Sequence, residues 1–265
     1  NLNHNKNFVL IGTSGADSTI FNAEGNGRHF TLDDGQTNAT KFIGITFYNG
    51  KLDDATEGGS IRMSNNTSIQ FISCVFDSNR VDFGFGESSD NYAYGGAITI
   101  SSSSSPYFES CSFINNWAAG IYGYGGALRL NSANSEDTFK DTIKIVNSIF
   151  RGNYVQTNQG GYGGAIYNHR NMQITNSLFV NNGVHSNMYV SGSGWYYGSG
   201  GVIYSNPYQG SSAGSLIIAN STFDQNYNHV NVSNGTPYGA VLYLEGSSNN
   251  KPKTYLFNSI ITNSS

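Results

Sequence analysis

The stretch that decides the fold runs from Gly95-Gly96-Ala97-Ile98 to Cys111-Ser112-Phe113-Ile114-Asn115-Asn116. Copies of its first motif, a glycine followed by small and aliphatic residues, begin elsewhere at Gly58, Gly125, Gly163, Gly200 and Gly239. Copies of its second motif, small-x-Phe-x-x-Asn, pair Phe76 with Asn79, Phe113 with Asn116, Phe150 with Asn153, Phe179 with Asn182 and Phe223 with Asn226. The glycine motif returns every 30 to 39 residues with the second motif in phase, a period typical of solenoids.

Each repeat contains short alternating stretches that favour strands, such as Ile98-Thr99-Ile100 and Ile143-Lys144-Ile145. Three such strands in a coil bury their apolar residues only when successive coils stack in register. The sequence therefore predicts an all-β parallel β-helix, a single solenoid domain over residues 1–265 with about seven coils. We expect long loops at one corner, the phenylalanines in an interior column and the motif asparagines at a turn.

Composition excludes some classes of protein. Of 265 residues only 11% are charged, and the formal net charge is -4, so the basic surplus of a nucleic-acid-binding protein is missing. The 33 glycines, with many Asn and Ser, disfavour helix. The sequence has no apolar run of the ~20 residues that a membrane helix needs, so we expect no membrane insertion. The first residue is Asn rather than Met, which leads us to expect a processed chain with an extracellular or cell-surface location.

Cys74 and Cys111 fill the same motif position, which Ser148, Ser177, Ser221 and Ser259 fill in later copies. Stacked coils would place the two cysteines one above the other. This arrangement is compatible with two buried thiols or with a disulfide.

Between each motif Asn and the next glycine motif lies a variable segment rich in aromatic residues. If these segments pile up along one side, they pack on the barrel or form a binding platform. The candidate residues are Tyr94, Tyr124, Tyr162, Tyr238, Trp117 and Trp195. A second column follows each glycine motif, and we expect it to be a solvent-facing ladder or part of a groove: Arg62, Thr99, Arg129, Tyr167, Tyr204 and Tyr243.

Catalytic and metal-binding signals are weak. A β-helix lyase needs a carboxylate cluster for Ca²⁺ with a cationic base, and a hydrolase needs facing carboxylates. The densest acidic set, Asp53, Asp54 and Glu57, is a weak candidate for Ca²⁺ and is more typical of a surface turn. We therefore expect no cofactor and no catalytic residues.

The glycine and phenylalanine motifs, with the opening Phe8-Val9-Leu10-Ile11-Gly12 and 42–50, resemble polymorphic outer-membrane proteins of chlamydiae. They are similar also to adhesin-like β-helix proteins of methanogenic archaea and other microbes. The resemblance covers nearly the whole chain, and its motifs are packing residues. It implies a right-handed β-helix on an exported surface protein associated with adhesion.

The sequence thus predicts a non-catalytic, adhesin-like or structural β-helix. Its expected partners are a glycan or protein on a host or neighbouring cell, and further copies of itself. Self-association is expected because neither end of the predicted solenoid carries a polar cap, so each exposes strand edges. The alternative is a carbohydrate-active β-helix enzyme, a polysaccharide lyase or glycoside hydrolase.

Overall fold

The computed structural model describes residues 6–53, 57–84, 91–131, 141–187, 197–206, 208–209, 212–231, 236–246 and 253–265. All regular secondary structure in these ranges is β-strand. The strands form four parallel sheets, which we number 1 to 4 in the order that the chain visits them within a coil. In the described residues, seven coils visit sheets 1, 2 and 4, and two strands of an eighth follow. The predicted all-β parallel β-helix is confirmed.

Sheet 1 contains Val9–Ile11, Lys41–Ile43, Gln70–Ile72, Tyr107–Glu109, Ile143–Val146, Met172–Thr175, Ser215–Ala219 and Lys253–Phe257. Sheet 2 contains Ile20–Asn22, Thr46–Tyr48, Val75–Asp77, Ser112–Ile114, Ile149–Arg151, Leu178–Val180, Thr222–Asp224 and Ile260–Thr262. In both sheets each strand pairs with the equivalent strand of the next coil.

Sheet 3 contains Lys51–Leu52, Arg80–Asp82, Trp117–Tyr124, Tyr154–Tyr162, Gly183–Asn187 and Tyr227–Asn231, with Tyr92–Tyr94, Tyr197–Ser199 and Thr236–Tyr238 alongside. Sheet 4 contains Phe30–Leu32, Ile61–Met63, Ile98–Ile100, Leu128–Leu130, Ile166–Asn168, Ile203–Ser205 and Leu242–Leu244. A small antiparallel pair, Tyr208–Gln209 with Ser212–Ala213, projects after sheet 4.

Sheet 3 corrects the prediction of three strands per coil with loops at one corner. The variable segments extend the coil as a fourth strand, and two of them, Trp117–Tyr124 and Tyr154–Tyr162, pair through most of their length. The physical reason is a second small core, in which Val81, Val155 and Val184 pack together. Stacked in register, these segments satisfy their main-chain hydrogen bonds with one another.

The main core is a set of vertical columns. The five motif phenylalanines are fully buried in one continuous stack, with ring centroids 4.5 to 4.9 Å apart between neighbours. A second stack on sheet 1 joins Phe42, Phe71 and Phe108. Aliphatic residues of sheets 1 and 4 fill the remaining interior. The core is therefore continuous through the stacked coils.

The motif asparagines form a buried ladder at the corner after sheet 2. Nδ2 of Asn116 donates to Oδ1 of Asn153 at 3.0 Å and to the carbonyl of Phe76 at 2.8 Å. The backbone N–H of Asn116 donates to the same Oδ1 at 3.1 Å. The turn expected at these asparagines is made instead by the preceding residue, for example Asn115, whose φ of 52° is left-handed. The motif Asn turns inward to bond, and the residue before it makes the turn.

The glycine motif needs both of its glycines. Gly163 has φ of 65°, which L-residues rarely adopt. A Cβ on Gly164 would lie 2.2 Å from the carbonyl oxygen of Gly201 in the next coil. The first glycine therefore makes the turn, and the second permits close stacking of the coils.

Cys74 and Cys111 are free and buried. The Sγ of Cys74 donates to the carbonyl of Phe42 at 3.3 Å, and burial raises the pKa of its thiol to about 11. Burial also raises the pKa of Cys111, whose backbone N–H donates to the hydroxyl of Ser148. Of the two arrangements compatible with the sequence, the structure has stacked thiols.

Candidate functional site: a tyrosine-lined groove

Two columns of side chains face each other across the turn of the glycine motif. The tyrosine column holds the residue before each glycine motif: Glu57, Tyr94, Tyr124, Tyr162, Ser199 and Tyr238. The floor column lies on the outer side of sheet 4: Arg62, Thr99, Arg129, Tyr167, Tyr204 and Tyr243. The tight turn at Gly-Gly folds the end of sheet 3 over sheet 4, so the columns touch. We call the surface that they form the tyrosine groove.

Edge-to-face ring contacts join the columns. Tyr124 meets Tyr167 with ring centroids 5.0 Å apart, and Tyr162 meets Tyr204 at 5.3 Å. Such contacts contribute roughly 0.5–1.5 kcal/mol beyond burial. Within the floor column, Tyr167 and Tyr204 stack at 5.0 Å. These ring contacts hold the tyrosine column against the floor column.

The floor column is more buried than the sequence predicts. Thr99 is 0% exposed, Arg129 and Tyr167 are 9% exposed, and Tyr204 is 5% exposed. The expectation of a solvent-facing ladder is wrong for these four, because the overlying tyrosine column covers them. Tyr243 and Arg62 remain partly exposed. Two members of this column, Tyr204 and Tyr243, line a cleft that is described below.

The tyrosine column is interrupted once. Tyr94 and Tyr124 lie 5.1 Å apart, and Tyr124 stacks on Tyr162 at 5.0 Å. Ser199 then pairs in register with Tyr162 on one side and with Tyr238 on the other. Tyr238 is thus separated from the other tyrosines by one coil.

A cleft of about 320 Å³ opens at the interruption, and we call it the Ser199 cleft. Its lining is rich in hydroxyl groups and includes one carboxylate: Tyr162, Ser199, Tyr204, Tyr238, Tyr243 and Glu245. The hydroxyl of Tyr204 donates to Oε2 of Glu245. Burial, and then this hydrogen bond, raise the pKa of Tyr204, so its phenol stays protonated and orients the carboxylate.

His169 lies beside the floor column. Its ring centroid is 4.6 Å from that of Tyr167. Burial, and then the positive charge of Arg129, lower the pKa of His169 to about 4. Its buried Nε2 has no hydrogen-bond partner within the described part of the chain. The imidazole is therefore neutral at neutral pH.

At the other end of the groove, charged side chains form ion pairs with one another. Glu57 accepts from Arg129 at 2.7 Å and from Arg62 at 3.1 Å, and the Arg129 guanidinium lies 3.7 Å from the ring centroid of Tyr94. Asp53 pairs with Lys51 at 2.7 Å. The weak calcium candidates Asp53 and Glu57 thus have separate cationic partners, and Asp54 lies outside the described residues. Among the described residues, no three or more His, Cys, Asp or Glu form a metal-binding group.

Of the two predicted tryptophans, Trp117 does not join the groove. Trp117 stacks on Tyr154 at 5.7 Å, and Arg80 lies over its ring. This group begins the strands of sheet 3, whereas the tyrosine column ends them. Trp195 lies outside the described residues.

Glu245, His169 and Ser199 are site residues that sequence reasoning missed. Glu245 and His169 each follow a floor-column tyrosine by two positions, so strand alternation was a usable signal for both. The signal for Ser199 was its residue type, because the other uncharged residues at this position of the repeat are all tyrosines.

Comparison with protein-family models, curated proteins and solved structures finds no match to this chain. In the described ranges, no helix has the length and apolar character to cross a membrane.

Proposed function

We propose that this protein is a secreted or cell-surface β-helix of the adhesin type, which binds a glycan non-catalytically through the tyrosine groove. One observation carries the proposal. A line of stacked tyrosines ends in an open cleft lined with hydroxyl groups and a carboxylate, the combination that recognises sugars. The location rests on the resemblance of the repeat motifs to exported adhesins.

The groove is built to bind with little loss of entropy. Tyr162 is fixed by its stack on Tyr124 and its contact with Tyr204. Tyr204 is fixed in turn by the bond to Glu245. Aromatic side chains held in this way do not need to be ordered by the ligand, which lowers the cost of association.

A carbohydrate-active enzyme is the alternative, and the groove carboxylates argue against hydrolysis. Glycoside hydrolases place two carboxyl groups roughly 5–10 Å apart across the bond. In the described groove, Glu57 lies on the second coil and is bonded to Arg62 and Arg129, whereas Glu245 lies on the seventh coil. A lyase needs a cationic base, but the Arg170 side chain is fully buried and donates to the carbonyl of Ser102. Binding without turnover therefore fits these residues better.

End-to-end association of copies is the second part of the proposal. The last described strands expose Phe257, Ile260 and Ile261, which are 54%, 58% and 47% accessible. The first coil exposes Val9, Ile11 and Ile20 to a similar extent. Light scattering over a concentration series tests this part, and a stable monomer at high concentration contradicts it.

Glycan binding is tested by titration calorimetry against a panel of neutral and acidic polysaccharides. Replacing Tyr243 by Ala removes a partly exposed ring from the groove, and we expect at least a tenfold loss of affinity. The matched control is Tyr255→Ala on sheet 1, whose ring is 42% exposed, and we expect it to bind as the unmodified protein does.

The same samples are assayed for new reducing ends and for unsaturated uronates. Release of either product identifies the enzyme alternative. Equal affinity of the two variants shows that binding does not use the groove.

A further inference from the structure

His185 and His229 lie side by side on the outer face of sheet 3, although they are far apart in the sequence. They are register partners on Gly183–Asn187 and Tyr227–Asn231, the strands of two successive coils. Side chains in register on neighbouring parallel strands point to the same side of the sheet. The two imidazole rings are in contact, with centroids 5.8 Å apart and planes at 74°. The stacking of coils therefore brings two nitrogen ligands together.

The separation of the two rings suits two ligands of one metal ion. A zinc ion lies about 2.0–2.1 Å from a ligating imidazole nitrogen, which places it about 3 Å from the ring centroid. At a tetrahedral angle, two such rings have their centroids about 5 Å apart. The observed 5.8 Å exceeds this value by less than ~1 Å, a difference that small rotations of the two side chains remove.

The imidazole nitrogens are available to a ligand. In the part of the chain that the structure describes, no hydrogen bond joins either imidazole to the protein. Both histidines line one open cavity of about 500 Å³. Burial, and then the positive charge of His229, lower the pKa of His185, so this imidazole is neutral at neutral pH, the form that binds metal. A hydrated ion can therefore reach both rings.

Tyr227 restricts the two imidazoles to orientations close to the one required. Its ring occupies the space beside Gly183, where a Cβ would lie 2.1 Å from the ring. From there its centroid is 4.6 Å from that of His185 and 5.1 Å from that of His229. Contact with Tyr227 leaves each imidazole fewer orientations, which reduces the entropy lost when both bind one ion.

The chemistry of the cavity selects the class of ion. Besides the two histidines, its described lining is uncharged: Asn228, Val230, Asn231 and Pro237. Burial raises the pKa of Tyr227 to about 12, so its phenol stays protonated and supplies no anionic ligand. Ca²⁺ and Mg²⁺ take oxygen ligands, carboxylates above all, whereas imidazole suits zinc, copper and nickel. The ligand set therefore favours a late first-row transition metal.

We infer that His185 and His229 together bind one late first-row divalent transition-metal ion, represented by Zn²⁺, with water in its other coordination positions. Neither histidine belongs to the tyrosine groove. The inference therefore goes beyond the proposed glycan binding and does not depend on it.

Titration calorimetry of the full chain with zinc chloride tests the site. We expect one Zn²⁺ per chain and a melting temperature that rises with zinc. His185→Gln and His229→Gln each leave one imidazole, and we expect each to lose at least tenfold in affinity. Loss of a residue that merely supports a metal ligand already costs about 10- to 100-fold.

The matched control is Asn231→Ala. It changes an exposed residue of the same cavity and keeps both imidazoles. We expect this variant to bind zinc as the unmodified protein does.

Electron paramagnetic resonance with Cu²⁺ counts the ligating nitrogens and needs no variant. Copper binds to the same types of ligand as zinc. We expect hyperfine coupling to two imidazole nitrogens in the unmodified protein and to one nitrogen in either histidine variant.

An unmodified protein that binds no zinc at millimolar concentration overturns the inference. Zinc affinity that stays unchanged in His185→Gln or in His229→Gln overturns the assigned residues, and a copper spectrum with fewer than two nitrogens overturns the shared ion. If Asn231→Ala weakens binding as much as the loss of a histidine, the two imidazoles are not the only protein ligands. Displacement of Zn²⁺ by an equal concentration of Ca²⁺ overturns the class of ion. In each case, glycan binding by the unmodified protein leaves the proposed function standing.

Discussion

Replacing Asn153 by Ala should destabilise the protein strongly, although it removes few atoms. Nδ2 of Asn153 donates to the carbonyl of Phe113 and to Oδ1 of Asn182, each at 2.9 Å. Its Oδ1 accepts from both the backbone N–H and the Nδ2 of Asn116, at 3.1 and 3.0 Å. The side chain is fully buried, so water cannot replace these four bonds.

The magnitude follows from the burial of those partners. Each intramolecular hydrogen bond contributes about 1 kcal/mol, and a buried partner left unpaired costs about 1–3 kcal/mol. Loss of four bonds therefore lowers the free energy of unfolding by about 4 kcal/mol. For a chain of this size, roughly 2 °C per kcal/mol gives a fall in melting temperature of about 8 °C.

The assay is urea and thermal unfolding followed by circular dichroism. The control is Gln70→Ala, which removes an amide that donates to the carbonyl of Asn38 at 2.9 Å on the exposed side of sheet 1. We expect that change to stay within about 0.5 kcal/mol. If Asn153→Ala costs no more than Gln70→Ala, the buried asparagine ladder does not hold the coils together.

Two further perturbations test the stacking and the electrostatics. Gly164→Ala places a Cβ 2.2 Å from the Gly201 carbonyl oxygen, so we expect a loss above about 2 kcal/mol in urea unfolding. Gly15→Ala meets no atom within 4 Å and should cost only its left-handed strain, about 1–2 kcal/mol; equal losses contradict the packing argument. The pKa of His169 is lowered to about 4 against 6.5 unfolded, so its contribution is present above pH 6.5 and lost as pH falls through 4. Between pH 6.5 and pH 4 we expect the charging of His169 to lower the free energy of unfolding by about 3 kcal/mol, and we expect His169→Asn to lack this fall. The prediction is refuted if the free energies of unfolding of the two proteins change in parallel with pH.

The fold was predictable because the same packing residues recur in phase. Phe113 and Phe150 occupy the same motif position, and a stack of coils is the arrangement that buries both. The cysteine position shows the limit of prediction from sequence, since two cysteines at the same position of stacked coils are compatible with either free thiols or a disulfide. Sheet 3 was missed because its apolar positions, such as Val155 and Val184, alternate with Gly, Gln and Asn. Those residues indicate loops when read alone, and they form strands only when the neighbouring coils supply partners.

The candidate site was predicted as separate columns rather than as one groove. The spacing of Tyr124 and Arg129 across a glycine pair does not say how sharply the chain turns. The structure shows that the turn lays the two columns on each other, which buries Tyr167. The charge of Glu245 gives no signal in the sequence, because a single acidic residue does not indicate a site until the structure shows that the Tyr204 hydroxyl donates to it.

In a stack of nearly identical coils, a change of residue within a column becomes a change of shape only if no neighbour fills the space. Gly183 interrupts the column of Tyr154 and Tyr227, but a Cβ there would lie 2.1 Å from the Tyr227 ring, so that space is occupied. Thr99 interrupts the floor column, and the Arg129 side chain reaches past it to Glu57. Ser199 is itself 3% exposed, and it interrupts the tyrosine column beside a cleft of about 320 Å³. A small residue in a column therefore changes the surface only where the neighbouring coils leave space beside it, as at the cleft that Ser199 lines with Tyr204 and Glu245.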